Sequence, residues 1–424
     1  MTATLTPVGS PRRLLRGDVG FARIAVAMFA GGAAVFALLY GVQAVLPQLS
    51  VAFHVGPAQA GLSMSVATAA IALAVIPISG LSERWGRVRV LRLSVGLAAV
   101  LGLLLPLSPT FGALLADRVL QGVAIAGMPA VAMAYLADEI HPAALAGAVG
   151  TFIAGNGLGG LAGRLVASAV TDLGGWRFGL GAVSALSVGC AVAFALLLPP
   201  QRHSTRGPSV RAVRRHLADP GLRRLYLAGF VLMGGFVTVY NYLGYRLLRP
   251  PFSLSPTLVG LIFFAYLAGT AASAIAGRLA DRHGSRSVLY GAVAVATVAA
   301  LVTLPDALPA VLIGLGLVTA GFFGAHAAAS GWVGQLAMTA RGQAAGLYLC
   351  AYYAGSSVGG WVGGLLYERF GWTATVGYVV CLFAIALTPA IRATPAVGRP
   401  LQSTVVSSRP VRRDQDRRGR RSSS

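Results

Sequence analysis

The residues best suited to chemistry in this chain are charges, and they are few. Glu83, Arg84, Gly86 and Arg87, in the stretch GLSERWGRVR, recur as Asp281, Arg282, Gly284 and Arg286 in GRLADRHGSR, almost half the chain away. Each copy separates two long apolar runs, so it lies where one helix gives way to the next. An acid beside arginines at that place can tie neighbouring helix ends by charge-assisted hydrogen bonds and can interact with a nearby helix dipole. Arginines at helix ends also serve topology alone. The recurrence favours a gating latch, comprising these eight residues and Gly277. Asp138 or Glu139 is the expected partner of Arg84 or Arg87 when the cytoplasmic side is closed.

Charges within the apolar runs are rarer still. Arg118 and Arg164 fall inside such segments, Arg118 next to Asp117. A charge at membrane depth costs at least a few kcal/mol and is a functional candidate by default, although Arg118 has the alternatives of snorkelling outward or pairing with Asp117. His326 is the one histidine well inside a span; such a residue serves as a packing group more often than as a proton relay. None of the 12 acids lies in mid-span, which argues against a deep site for multivalent cations. Asp117 and His326 are therefore the titratable candidates for coupling within the spans. Tyr40, Gln43, Tyr240, Asn241 and Tyr352 are candidates for lining a cavity, and Tyr245 for an outer interfacial belt.

Two glycine-rich runs follow the same duplication. Gly155, Gly159, Gly160 and Gly163 are echoed by Gly355, Gly359, Gly360 and Gly363. The first run fits G-x-G-x-x-G, yet no strand precedes it and its surroundings are apolar, so nucleotide binding is a poor reading. Glycines at this density instead let two helix backbones approach closely. Asn156, inside the first run, is a polar group at membrane depth that needs a partner or a wet cavity. Cys190, Cys350 and Cys381 lie in apolar segments without paired spacing, which points to packing. No metal site or cofactor is expected.

The elements that carry these residues are membrane spans. The chain is 56% hydrophobic and 11% charged, against roughly 25% charged in soluble domains. Apolar runs of about 20 residues recur, each long enough to cross a bilayer core. The net charge of +22 does not mark a nucleic-acid partner: there is no lysine, and 28 of the 34 arginines fall in alternate loops and tails. That asymmetry places both termini in the cytoplasm, with the basic tails touching anionic lipid at most. The expected organisation is an N-terminal arm (1–22), a six-helix bundle (23–198), a basic linker (199–224), a second six-helix bundle (225–391) and a disordered basic tail (392–424). The fold class is all-α: twelve transmembrane helices in two pseudo-symmetric halves.

The paired hinges, the glycine runs and the 6+6 layout resemble the major facilitator superfamily of secondary transporters. The segments RVLQGVAIAGMPAVAMAYLADEIHP, FIAGNGLGGLAGRL, VTVYNYLGYRL and AAGLYLCAYYAGSSVGG resemble its YnfM-like branch of bacterial efflux permeases. The likeness covers nearly all of residues 24–391. In that family the hinge carries Asp with a glycine four residues before it. The second copy keeps both in Gly277 and Asp281, whereas the first has Ser79 and Glu83. Leu114, Arg118, Gln121 and Gly122 match a superfamily pattern, and the resemblance implies that Arg118 takes part in proton coupling. Antiporters of the superfamily carry Gly-Pro-x-x-Gly-Gly in span five; here Asn156 stands in place of the proline.

The resulting expectation is a monomeric alternating-access carrier of the bacterial cytoplasmic membrane, not an enzyme. It exports a small organic molecule, a drug or metabolite, against entering protons. A uniporter or importer of a sugar-like metabolite shares every one of these features. A channel is disfavoured by the paired hinges, and a membrane enzyme or sensor by the lack of any His, Asp or Cys cluster at a span end.

Overall fold

The structure, a computed structural model, describes residues 13–201 and 210–391. The first half comprises α1 (Val19–Phe53), α2 (Pro57–Trp85), α3 (Arg87–Leu107), α4 (Phe111–Glu139), α5 (Pro142–Gly174) and α6 (Trp176–Leu197). A short helix, α7 (Val210–Ala218), precedes the second half. That half comprises α8 (Pro220–Leu247), α9 (Pro256–His283), α10 (Ser285–Val302), α11 (Leu308–Leu336), α12 (341–370) and α13 (372–391). Eleven helical runs are long and apolar enough to cross a membrane, and the last holds two spans divided at Gly371, which gives twelve.

Glycine sets the corners of both halves in the same way. Gly86 (φ +90°) ends α2 and starts α3, and Gly284 (φ +82°) does the same between α9 and α10. A side chain strains that backbone conformation, which gives the hinge glycines a reason independent of charge. Gly175 and Gly371 turn the fifth helix of each half into the sixth.

The glycine runs pack the halves internally. A Cβ on Gly155 would collide with the Phe29 backbone, one on Gly159 with Ala33 and one on Gly163 with Ala37, so α5 lies backbone-to-backbone on α1. In the second half Gly355 faces Phe230 and Gly359 faces Gly234, setting α12 on α8 in the same manner. Gly160 and Gly360 lie against the same neighbouring helices, at Tyr40 of α1 and Val237 of α8, and their carbonyls also accept from Arg164 and Tyr242. Leucines and isoleucines such as Leu97, Leu103 and Ile313 point outward from the bundle, as a hydrocarbon solvent requires.

Two boundaries differ from the sequence reading. The end of the N-terminal arm is ordered: Leu14 donates its N–H to Glu139 O, and its carbonyl accepts from His141 N–H. Leu14 packs against the core beside the end of α4, and α1 begins at Val19. The linker contains the α7 helix, and α8 starts at Pro220 because the Asp219 side chain caps it through Leu222 N–H. Residues 1–12, 202–209 and 392–424, which hold most of the arm, part of the linker and the basic tail, lie outside the described residues.

Candidate functional site

The halves meet along α2 with α12, α5 with α9, and the ends of α1 with α8. The end of the bundle from which the linker emerges is termed the linker end, and the opposite one the distal end. Cross-half hydrogen bonds among the described residues gather toward the distal end. The Ala58 N–H at the start of α2 donates to Glu368 Oε2 at 3.0 Å, and Thr257 at the start of α9 donates to Asp172 Oδ2 at 2.7 Å. Ser50 Oγ and Tyr245 Oη lie 2.7 Å apart, and Tyr245 also donates to Leu46 O at 2.9 Å. Tyr245 is 4% exposed and belongs to this seal, not to an interfacial belt. Its hydroxyl finds acceptors on the other half, which a membrane-facing position would not supply.

Beneath the seal sits Arg164, 1% exposed. Its Nε donates to Gln43 Oε1 at 2.8 Å, Nη1 to Gly160 O at 3.1 Å, and Nη2 to Tyr266 Oη, on the other half, at 2.9 Å. Gln43 Nε2 in turn donates to Asn241 Oδ1 at 2.7 Å. The guanidinium carbon lies 4.2 Å from the Tyr40 ring centre, 4.5 Å from Tyr266 and 5.1 Å from Phe263. Aromatic faces attract a cation in this way. No carboxylate among the described residues pairs with Arg164.

The structure thus brings three of the cavity candidates, Tyr40, Gln43 and Asn241, together around Arg164. Arg164 was legible as a second intramembrane arginine; no motif drew attention to it. Tyr266 carried no signal beyond being aromatic. Tyr240 sits deeper in the second half, its hydroxyl 2.7 Å from Thr319 Oγ1 and its ring against Phe236, Phe263 and Tyr266. Asn156 rests against Gly32 of α1, with its Oδ1 buried and lacking a hydrogen-bond partner.

The three coupling candidates do not converge. Arg118, 0% exposed, lies wholly within the first half. Its Nε donates to Ser63 O at 2.9 Å, Nη1 to Leu38 O at 3.2 Å and to Gln121 Oε1, and Nη2 to Leu39 O at 3.0 Å and toward Met64 S at 4.0 Å. The Leu38 carbonyl is available because α1 tightens into a 3-10 turn over Val42–Val45, where the Val42 N–H turns to Tyr40 O. Every N–H of Arg118 is engaged within the first half, which excludes snorkelling. Asp117 is half-buried, and its Oδ2 has no hydrogen-bond partner. His326 belongs to the second half, with Nδ1 2.9 Å from Tyr348 Oη and its ring 4.9 Å from that of Tyr352. Both His326 and Tyr352 are half-buried, and Tyr352 neighbours Tyr40 across the seam.

At the linker end, Arg87 is buried and forms an ion pair with Asp138 and a hydrogen bond to Ala134 O. This pair joins α3 to α4 within one half, and it is present while the distal end is sealed. Glu83, Arg84, Asp281 and Arg282 are exposed and make no ion pair among the described residues, and Gly277 has open space around it.

The fold has counterparts among known proteins. The family model of the Major Facilitator Superfamily matches residues 24–247 and 225–415. The chain belongs to the major facilitator superfamily. A relative in this superfamily, the uncharacterized MFS-type transporter YybF of Bacillus subtilis (strain 168), is 39% identical over 377 residues, covering 88% of this chain and 93% of that protein. The inner membrane transport protein YnfM of Escherichia coli (strain K12) is 38% identical over 387 residues, covering 90% and 93%. The chloramphenicol efflux pump Rv0191 of Mycobacterium tuberculosis (strain ATCC 25618 / H37Rv) is 28% identical over 344 residues, covering 77% and 82%. Among solved structures, a bacterial homolog of the human lysosomal transporter Spinster, in an inward-facing and unoccupied conformation, shares the fold. The TM-score is 0.74 at 17% identity, covering 90% of this chain and 100% of that one. The chain is accordingly a multi-pass membrane transporter of this superfamily.

Proposed function

We propose that this transporter exports a small organic solute by alternating access, driven by entering protons, with its linker end in the cytoplasm. The observation that carries the reading is the asymmetry of the seam. The distal end is held shut by contacts at matching places, Glu368 with Ala58 and Asp172 with Thr257. At the linker end no comparable packing joins α4 to α11 among the described residues. Two similar halves sealed at one end and not at the other are one state of a rocking carrier. A cytoplasmic linker end follows from the arginine distribution. The chloramphenicol efflux relative supports the outward direction.

In this proposal Glu83, Arg84, Asp281 and Arg282 latch the linker end in the opposite state, and Arg118 holds the bend of α1 that shapes the site. Proton coupling is assigned to His326, the half-buried titratable group between Tyr348 and Tyr352. A monomer suffices for the cycle.

The test uses inside-out vesicles with an inward acid gradient reported by a quenched dye, challenged with drugs, sugars, organic acids and organic cations. Dequenching by one class, lost in His326→Gln while labelled-solute exchange persists, supports proton-coupled export. Solute equilibration with no effect on the gradient for any class refutes it.

A further inference from the structure

We infer that the transported solute is an organic anion with a planar apolar body, and that Arg164 binds its carboxylate. The inference rests on the transporter reading and names the substrate class of the same seam.

Two buried arginines in one protein provide an internal comparison. Arg118 uses all five of its N–H groups on four carbonyl-type oxygens and a thioether sulfur, so it is a completed brace. Arg164 makes three hydrogen bonds, one from each nitrogen, which leaves two N–H groups without an acceptor among the described residues. Burying an arginine that is neither paired with a carboxylate nor saturated is costly. The Asn241 Nδ2 group, linked to Arg164 through Gln43, is also buried without a partner. The seam therefore holds an excess of donors. The ligand that completes it is rich in acceptors and carries negative charge. A carboxylate fits a guanidinium through two parallel charge-assisted hydrogen bonds, a geometry that a neutral or cationic ligand does not offer.

The surroundings specify the rest of the molecule. Tyr40, Phe263 and Tyr266 present rings to the guanidinium, and Tyr352 and His326 extend the aromatic lining toward the linker end. Flat apolar groups stack on such walls. In the state described here the Tyr266 hydroxyl holds the place of a ligand acceptor. A carboxylate is the stronger acceptor, so its arrival takes Arg164 away from Tyr266. That contact joins the two halves. Anion binding then releases one of the bonds that keep the distal end closed, which couples recognition to opening.

Equilibrium binding to the full-length protein in lipid nanodiscs, measured by calorimetry, tests the inference. The probes are matched sets built on benzene, naphthalene and indole, each with the carboxylate, the carboxamide and the aminomethyl cation. In at least one set the carboxylate is expected to bind about tenfold more tightly than its amide, with the cation weakest. Arg164→Gln removes that preference. Tyr266→Phe keeps the charge, deletes the competing acceptor and strengthens carboxylate binding about threefold. A preference for the cation, equal affinity within every set, or no binding of any carboxylate overturns the inference, as does a tighter carboxylate that is indifferent to both substitutions. Because no gradient is involved, binding that passes while the vesicle assay fails leaves the anion site standing and defeats only the proton-driven export.

Discussion

Glu368 accepts a hydrogen bond from the Ala58 backbone at 3.0 Å, and Asp172 accepts one from Thr257 at 2.7 Å. The acids occupy matching places, each just before the glycine that separates the fifth and sixth helices of its half, Gly175 or Gly371. Their partners match as well, since each follows the proline that opens the second helix of the opposite half, Pro57 or Pro256. Gly56 is part of the first clasp, because a Cβ there would collide with the Glu368 carboxylate.

Neutralising these acids should loosen the distal end. Both are exposed, so each contact is worth about 1 kcal/mol or less. Glu368→Gln or Asp172→Asn alone should raise hydrogen exchange at the first turns of α2 and α9 a few-fold, and the double variant by about tenfold. Unchanged exchange in the double variant would remove the clasp from the account of distal closure.

Arg118→Ala should fail as a folded protein rather than as a catalyst of coupling. The substitution leaves the carbonyls of Leu38, Leu39 and Ser63 without their donor in a buried site, a loss of about 3 kcal/mol or more. The expected result is a strongly lowered melting temperature in detergent, with Arg118→Lys intermediate. Melting at the wild-type temperature with transport abolished would instead favour the coupling role that the family pattern implies.

Glycines in the same run should differ sharply. Gly355 lies against Phe230 backbone, so Gly355→Ala must push α12 from α8 and should cost about 2 kcal/mol or more. Gly157 has open space around its Cα, and Gly157→Ala should be neutral or stabilising by up to about 1 kcal/mol through helix propensity. Thermal melts of the two variants check both signs.

The hinge separates charge from shape. Gly86→Ala meets only Gln201 Oε1, at an ordinary 3.7 Å, and Gly284→Ala meets nothing, but each forces an alanine into positive φ, at a cost of about 1–3 kcal/mol. Glu83→Gln with Asp281→Asn should leave melting unchanged, since neither acid is paired in the state described. The same pair of substitutions should slow transport if the latch closes the linker end. Full transport activity would reduce these charges to topology.

Much of the fold was readable because hydrophobicity and glycine are local signals. Runs of about 20 apolar residues mark spans, and the glycines of α5 and α12 announced close helix contact before their partners were known. The hinge glycines were noticed for their charged company, whereas their positive φ gives the firmer reason for them. The site was less readable because its chemistry is assembled across the seam. Gln43, Asn241 and Tyr40 are ordinary polar and aromatic residues until Arg164 and Tyr266 are set among them. Arg118 drew attention through its motif while Arg164, the less saturated of the two, had none. The order at Leu14 and Val210–Ala218 depends on tertiary contacts in otherwise polar sequence.

The reciprocal clasp has a symmetry consequence. Each half carries an acid at the end of its fifth helix and a receptive helix start on its second, and offers each to the other half. A surface that supplies both members of a contact to a copy of itself is isologous, the arrangement found in two-fold dimers. The seam of this single chain therefore keeps the arrangement of a homodimer interface, in which each half presents the same pair of features to the other.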